Sequence, residues 1–549
     1  MKKNFFVGVL MVLSLVSAKA QTVSSDKGFE ISKNLEIFAN IYKNIHLYYV
    51  DDVDPGATMK AAINAMLASL DPYTVYYPES DIEDVRLQLM GEYGGIGALI
   101  HQKEGSSYIA EPYEGLPADV AGLKAGDRIL EVNGESTKGK DNSAVSSAMR
   151  GQAGTQVTLK LEREGQVFEK TLTRKAIKLP NVPYYGMVQG NVGYVKLDEF
   201  TQDAAKNVRD AFRKLKAEHP DMKGFILDLR GNGGGLLNEA VDLVNVFVRK
   251  GELIVETKGK VASKNTKSYT RLASEDTEIP VAVLVDGYSA SASEITSGSL
   301  QDLDRAVIIG DRSFGKGLVQ NILPMPYNTQ MKVTVSKYYI PSGRCIQAID
   351  YSHRDDMGKA NKVPDSLKTA FKTRNGRVVY DGFGIEPDVE VDVEYMSRIS
   401  MVLVSKYLFF DYATKFAKEH STIPPAGEFK ITDEIYQDFK QFLKDKSYEY
   451  TTESEEVIKQ MREAAKYEKY DEALKASIDA LEQEVKKVKA DDLDKNRAEL
   501  SEMLKAEILV RYYYQKGRIE GSLVSDKDVK KAVEILTDPV EYKKLLGKK

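Results

Sequence analysis

Three serines stand on alternate positions in "DGYSASASEITSGSLQDLDR", Asp286 to Arg305, directly behind the apolar run "VAVLVDG" and directly ahead of a helix-forming stretch. A serine there sits at a helix N-terminus, where unpaired N–H groups and the macrodipole stabilise the anion that forms when a hydroxyl attacks a carbonyl. The chemistry would be acyl transfer. Ser289, Ser291 and Ser293 suit helix capping and tight packing equally well, and this stretch alone leaves the two readings level. A nucleophilic serine needs a base. Of the five histidines, at 46, 101, 219, 353 and 420, only His219 falls near a strand end of this region, and it reads as a surface residue before Pro220. Lys316 is the other candidate, set between Gly315 and Gly317 in "RSFGKGLVQ". Burial would lower its pKa until the neutral amine acts as a base, whereas a solvated loop lysine is the ordinary reading of any single lysine. "DLRGNGGGLL", Asp228 to Leu237, puts four glycines in five positions before another helix, so backbone N–H groups can approach a ligand closely. It lacks the Gly-Lys-Ser/Thr ending of a phosphate loop and fails G-x-G-x-x-G, which leaves an oxyanion or peptide-backbone role. Cys345, the only cysteine, has no histidine beside it and follows a "PSGR" turn, so it reads as structural, and a disulfide within the chain or a cysteine metal cluster is excluded.

Such side chains need a scaffold that brings strand ends together. Beyond Pro180, "GYVKLDEF", a helix around Ala204 to Glu218, "GFILDLR", a helix from about Leu236, "VAVLVDG", a helix from about Ala290 and "RAVIIG" alternate, which predicts a layered α/β domain over 179–395 with strands buried on both faces. Over 82–178 the runs "SSYIAEP", "DRILEVNGES" and "QVTLKLEREGQ", with turns at Asn133-Gly134 and Glu164-Gly165, predict a small β-rich domain. Ile31, Leu35, Phe38, Tyr42 and Ile45 share one helix face, and a second helix from Pro55 to Leu70 is stopped by Asp71-Pro72, which makes 21–81 helical. From 396 to 549 the Lys-, Glu-, Leu- and Ala-rich chain predicts helices. In "YEKYDEALKASIDALEQEVKKVKADDLDKNRAEL" the apolar positions are too sparse for a sustained coiled-coil seam, so a solvated helical face is expected, with a dimer-forming or partner-binding role left open.

A chain of 549 residues is too long for one core and is read as multi-domain. Residues 1–20, "MKKNFFVGVLMVLSLVSAKA", have the three-part layout of a secretory signal, with Ala18-Lys19-Ala20 ahead of Gln21. The apolar stretch falls short of the ~20 residues a spanning helix needs, and no cysteine follows it to take a lipid. Without Lys2, Lys3 and Lys19 the mature chain carries 74 basic against 82 acidic side chains, a net charge of −8 that invites neither nucleic acid nor an anionic membrane surface.

"EYGGIGALI", Glu92 to Ile100, and "LPADVAGLKAGDRILEVNGEST", Leu116 to Thr137, resemble a PDZ domain. Glycines 94, 95 and 97 would turn backbone N–H groups toward one point and hold a peptide's terminal carboxylate while the next strand pairs with the peptide. The resemblance thus implies Gly94, Gly95, Ile96 and Gly97 as peptide-binding residues. "SASASEITSGSLQDLDRAVIIGDRSFGKGLVQ", with "DLRGNGGGLL", "YYIPSGRCIQ" and "DPYTVYY", resembles the carboxyl-terminal processing, or tail-specific, proteases over more than half the chain. It implies a multi-domain protein of mixed α+β and α/β class: a PDZ-like domain, a layered, crotonase-like protease core, and helical regions at both ends. It also implies a Ser-Lys dyad peptidase in the periplasm or cell envelope of a bacterium, with Ser291 as nucleophile, Lys316 as general base and Gln320 supporting the lysine. The oxyanion hole would take the N–H of Ala292 and that of a glycine, Gly234 first, with Gly233 or Gly235 beside it. Gly233 stands where the family commonly has proline, Tyr288 where it has glycine or serine, and Cys345 where it has serine; the first blurs which glycine serves. No metal or cofactor is implied. Expected partners are proteins or peptides with exposed carboxyl-terminal tails, while an auxiliary protein that delivers them and a homodimer stay open. Two rivals are a catalytically silent PDZ adaptor, which loss of Ser291 or Lys316 would have favoured, and a hydrolase using His353.

Overall fold

The computed structural model describes residues 25–81, 92–355, 360–392 and 395–548. The signal read in residues 1–20 lies outside them, as does the start of the β-rich domain from Ile82. The chain divides between Tyr76 and Tyr77 into two compact units.

The first unit is built on α1 (Ser25–Tyr48) and α2 (Pro55–Ala68). Asp54 starts α2 by accepting the Ala57 N–H at 2.5 Å, with Pro55 in the first turn, where its missing N–H costs nothing. Apolar residues do recur along α1 as predicted, but Phe29, Ile31, Leu35 and Phe38 are exposed.

The second unit opens with the β-rich domain: β1 (Glu92–Gly95), β2 (Ala98–Lys103), β3 (Ser106–Pro112), β4 (Arg128–Val132), α3 (Asn142–Met149), β5 (Gln156–Arg163), β6 (Gln166–Thr173) and β7 (Lys175–Lys178). Both sequence-predicted turns form, with positive φ at Asn133, Gly134, Glu164 and Gly165. Alternation turns Val157, Leu159 and Leu161 inward to Ile109, Ile129 and Val145, and the antiparallel order β2-β3-β4-β5-β6 leaves β2 on an edge. Asn142 Nδ2 donates to Ile100 O (3.3 Å), which ties α3 to that edge strand.

The core follows with β8 (Tyr184–Val188), β9 (Val192–Lys196), α4 (Ala204–Glu218), β10 (Gly224–Asp228), α5 (Leu237–Phe247), β11 (Leu253–Gly259), β12 (Val281–Val285), α6 (Ala292–Asp302), β13 (Val307–Gly310), β14 (Leu318–Met325), β15 (Thr329–Tyr339) and β16 (Val389–Glu390). The main sheet runs β8-β9-β10-β12-β13-β16, with β8 antiparallel and the rest parallel. Helices α7 (Arg398–Ser405), α8 (Leu408–Glu419), α9 (Asp433–Leu443), α10 (Glu453–Glu468), α11 (Asp471–Ala490), α12 (Arg497–Leu523), α13 (Lys527–Thr537) and α14 (Pro539–Leu545) complete the chain.

The sheet is buried on both faces, as its unbroken apolar strands require. Val195, Leu227, Val283 and Ile308 face α4, α5 and α6, whereas Tyr194, Ile226, Leu284 and Ile309 face Val529, Ile535 and Tyr542 of α13 and α14. The last two helices therefore form a layer of the α/β core, although their composition groups them with the other carboxyl-terminal helices. Those pack separately around Phe409, Tyr412, Phe439 and Leu504, while α10 and α11 form a mostly solvated hairpin. A second, antiparallel sheet of β11, β15 and β14 borders the site, and the strand-helix alternation did not announce it.

Candidate active site

At the end of β12 the chain turns through Asp286, whose Oδ1 accepts the Tyr288 and Ser289 N–H groups, each at 3.0 Å. The three serines then part company. Ser289 Oγ donates to Leu229 O (2.9 Å) and Ser293 Oγ to Asn232 O (2.8 Å), both fully buried, so these two staple the turn to the glycine-rich loop. Ser291, at φ 57° and ψ −110°, heads α6 in a backbone region that costs a non-glycine residue strain. It is half-buried and opens into a cleft of about 450 Å³.

The glycine-rich loop runs beside it. A Cβ on Gly234 would lie 2.8 Å from Ser291 Cβ and 2.9 Å from Ala292 N, so no side chain fits there. Asn232 Nδ2 holds Leu197 O (2.8 Å) and its Oδ1 accepts the Gly234 N–H (2.9 Å). The N–H of Gly234, the first-named oxyanion donor, thus already has an acceptor in Asn232. The N–H groups of Ala292, Gly233 and Gly235 meet no acceptor among the described residues.

Lys316 is half-buried and lines the same cleft as Ser291, together with Gln320, Glu199 and Lys332. Its flanking glycines answer to packing: a Cβ on Gly315 would meet Ala348 Cβ at 2.4 Å, and one on Gly317 would meet Gln347 N at 2.8 Å. Gln320 Nε2 donates to Thr334 Oγ1 (3.1 Å), which leaves Oε1 as the amide's acceptor end.

Two residues that the sequence reading passed over join Ser291 to Lys316. Glu294, fully buried, accepts the Ser291 N–H (2.8 Å) and the Lys316 N–H (2.9 Å) on Oε2, and Ser313 Oγ–H and the Gly315 N–H (each 2.6 Å) on Oε1. Burial pushes its pKa up, and these four donors act in the opposite direction. Tyr338 Oη–H donates to Lys316 O (2.7 Å) and Ser291 O (3.1 Å). One carboxylate and one hydroxyl thus clasp both peptide groups. Ser291-x-x-Glu294 has the spacing of a capping box, a signal visible in the sequence.

His353 does not line the cleft; its side chain is 87% exposed and Nδ1 pairs with Asp350 Oδ2 at 2.7 Å. Burial raises the pKa of the Cys345 thiol, the opposite of what a thiolate nucleophile needs.

In the β-rich domain, Gly94 and Gly95 are strand residues of β1 paired with β7, and only Gly97 takes positive φ (73°). Gly94 is needed for close approach: a Cβ there would lie 1.9 Å from Gly151 O. The Ile96 and Gly97 N–H groups have no acceptor among the described residues and sit at the head of the edge strand β2.

Residues 191–352 match the profile of Peptidase family S41, 108–163 that of a PDZ domain, and 399–536 that of the "Probable PDZ-protease, C-terminal helical domain". A carboxy-terminal-processing protease of Bartonella bacilliformis is 36% identical over 372 residues, covering 67% of this chain and 84% of that one. A probable CtpA-like serine protease of Staphylococcus aureus is 31% identical over 348 residues, 62% of this chain and 69% of that one. The solved photosystem II D1 C-terminal processing protease is 26% identical, over 65% of this chain and 92% of that one, with a TM-score of 0.36. Fold, site and matches together define a serine-type peptidase that carries a PDZ domain. The chain belongs to the carboxy-terminal-processing protease family within peptidase family S41.

Proposed function

We propose that this protein is an exported endopeptidase that takes protein carboxyl-terminal tails and cleaves them with a Ser291–Lys316 dyad. The observation that carries the reading is the clasp: Glu294 and Tyr338 hold the peptide groups of both residues while both side chains line one cleft. A tail adds as a strand along the open edge of β2, its carboxylate against the Ile96 and Gly97 N–H groups. The Ser291 hydroxyl gives its proton to the neutral Lys316 amine and its oxygen attacks the scissile carbonyl. Negative charge on the carbonyl oxygen is met by the Ala292 N–H and by that of Gly233 or Gly235. Collapse breaks the C–N bond, the leaving amine takes the proton back from Lys316, and water, deprotonated by Lys316, then releases the acyl group from Ser291. Gln320 Oε1 is the acceptor that orients the lysine during these transfers.

Export to the periplasm or cell envelope rests on the signal layout of residues 1–20. Self-association belongs to the same reading, because Ile31, Leu35 and Phe38 share an exposed apolar face of α1 that a second copy would cover. Sedimentation should show a dimer that Leu35→Asp with Phe38→Asp dissociates; a monomeric parent chain would contradict it. The function is tested by holding a folded Ser291→Ala variant against cell-envelope extract. Proteins retained by their tails, and cleaved at those tails by the parent enzyme, are the expected result. Retained proteins that the parent enzyme leaves intact would make the chain a binding adaptor, with any auxiliary protein recovered alongside.

A further inference from the structure

Arg230 stands immediately before the glycine-rich loop, and every N–H on its guanidinium has an acceptor. Nε and Nη2 donate to Asp228 (3.1 and 2.6 Å), Nη2 and Nη1 to Asp526 (2.8 and 3.1 Å), and Nη1 to Asp528 (2.7 Å). Asp228 belongs to the end of β10, but Asp526 and Asp528 come from the start of α13, almost three hundred residues further along the chain. Asp526 is also the N-cap of α13, its Oδ1 accepting the Val529 N–H at 3.0 Å. Arg230 and all three carboxylates are largely buried, which makes the geometry stiff and costly to leave half-made.

The loop it precedes depends on its neighbours for its shape. Gly231, Gly234 and Gly235 take φ of 72°, 103° and 141°, and glycine has the widest backbone freedom of any residue. Its fixed points are the Gly231 N–H on Asp286, the Asn232 side chain, the Asn232 carbonyl that accepts from Ser293 Oγ and the Ala290 N–H, the Gly234 carbonyl that accepts from the Phe200 N–H, and Arg230 at its start. Resting on the proposed Ser291 chemistry, we infer that Asp526 and Asp528 are positioning residues for that reaction: the start of α13 clamps Arg230 and so fixes the N–H groups of Gly233 and Gly235 where the oxyanion forms. The start of α13 is then part of the catalytic machinery, although it lies outside the 191–352 segment that matches the peptidase profile.

The test uses the full chain and the variants Asp526→Asn and Asp528→Asn. Asparagine caps a helix about as well as aspartate, so α13 keeps its start while the charge facing Arg230 is lost. Asp538→Asn is the control, because Asp538 caps α14 through the Val540 and Glu541 N–H groups and is not among the acceptors of Arg230. The readouts are kcat, KM and the affinity of a peptide aldehyde, whose adduct with a serine carries the developing oxyanion. Expected is a fall in kcat of about tenfold or more for either clamp variant, KM nearly unchanged, and aldehyde affinity weakened by a matching factor. Asp538→Asn should leave all three near the parent values. Should the clamp variants melt earlier yet keep parental kcat and aldehyde affinity, the inference is overturned and the network only stabilises the fold. Should Asp526→Asn fail to fold, Asp528→Asn, which leaves the cap intact, decides alone. A parent enzyme that is active but insensitive to the aldehyde would instead count against Ser291 as nucleophile, which separates the two failures.

Discussion

Glu294, fully buried, accepts the N–H groups of both Ser291 and Lys316 on a single oxygen. Glutamine in its place turns one acceptor end into a donor, so buried N–H groups of either Ser291 and Lys316 or Gly315 face another donor. Each unsatisfied group costs about 1–3 kcal/mol. Glu294→Gln should therefore lower kcat about a hundredfold with KM little changed, in a protein that still melts cooperatively; steady-state kinetics beside a thermal melt checks this, and parental kcat would refute the clasp. The local stretch alone could not separate the three serines, and only the family resemblance singled out Ser291, because which hydroxyl is already committed depends on Leu229 and Asn232, some sixty positions upstream. Glu294 was legible as the fourth residue of a capping box, but its burial and its hold on the Lys316 loop are tertiary facts.

Among the elements, the edge strand β2 and the turn before it are the parts that the proposed function makes responsible for holding a tail. Gly97 combines positive φ with a Cβ position 2.5 Å from Leu116 Cβ, so Gly97→Val is strained twice over. It should raise KM at least tenfold while kcat at saturation changes less, and a peptide with an amidated carboxyl terminus should show the same loss on the unaltered enzyme. Equal rates on free and amidated tails would exclude carboxylate recognition and leave β2 as a general pairing edge. Elements defined by local chemistry were readable in advance: the two hairpin turns at Asn133-Gly134 and Glu164-Gly165, and the apolar strands flanking α4, α5 and α6. Gly94 and Gly95, expected to turn their N–H groups toward a ligand, are strand residues, and that identity was not legible because it depends on pairing with Lys175–Lys178, about eighty residues away. The β14–β15 hairpin escaped notice for a related reason: it is only partly buried and so lacks the unbroken apolar run that marks the main sheet.

Across the molecule, the PDZ domain leans on the carboxyl-terminal helices through His101. Its ring stacks on Tyr407 with centroids 4.2 Å apart, meets Phe410 edge-on at 4.5 Å, and buries an unpartnered Nε2. Burial first, then Lys103 and Arg511, holds its pKa down to about 4 from 6.5. Lys103 is paired with Asp411 of α8, and Arg511 with Glu507 of α12. Because the folded value lies below the unfolded one, the unfolded chain takes up a proton first as pH falls. The contribution is intact above pH 6.5 and is lost on the way down to about pH 4. Allowing for the ring's partial exposure, His101→Phe should remove about 1–2 kcal/mol of that acid-side loss, read as urea midpoints at pH 7 and pH 4.5. An unchanged pH slope would show that the docking does not depend on a neutral imidazole. Composition made the helical ends legible but not their duties, since the apolar faces of α13 and α14 are indistinguishable in sequence from those of neighbouring helices until Ile226 and Leu284 lie opposite them.

The central claim, that a lysine and not a histidine takes the proton from Ser291, is tested most directly by comparing Lys316→Met with His353→Ala on one unstructured peptide, after circular dichroism confirms that both are folded. Methionine keeps most of the lysine's volume and removes the amine. The account predicts near-complete loss of turnover for Lys316→Met, matching Ser291→Ala, and little change for His353→Ala. Near-normal turnover in the methionine variant together with an inactive alanine variant would contradict it and hand the proton to His353.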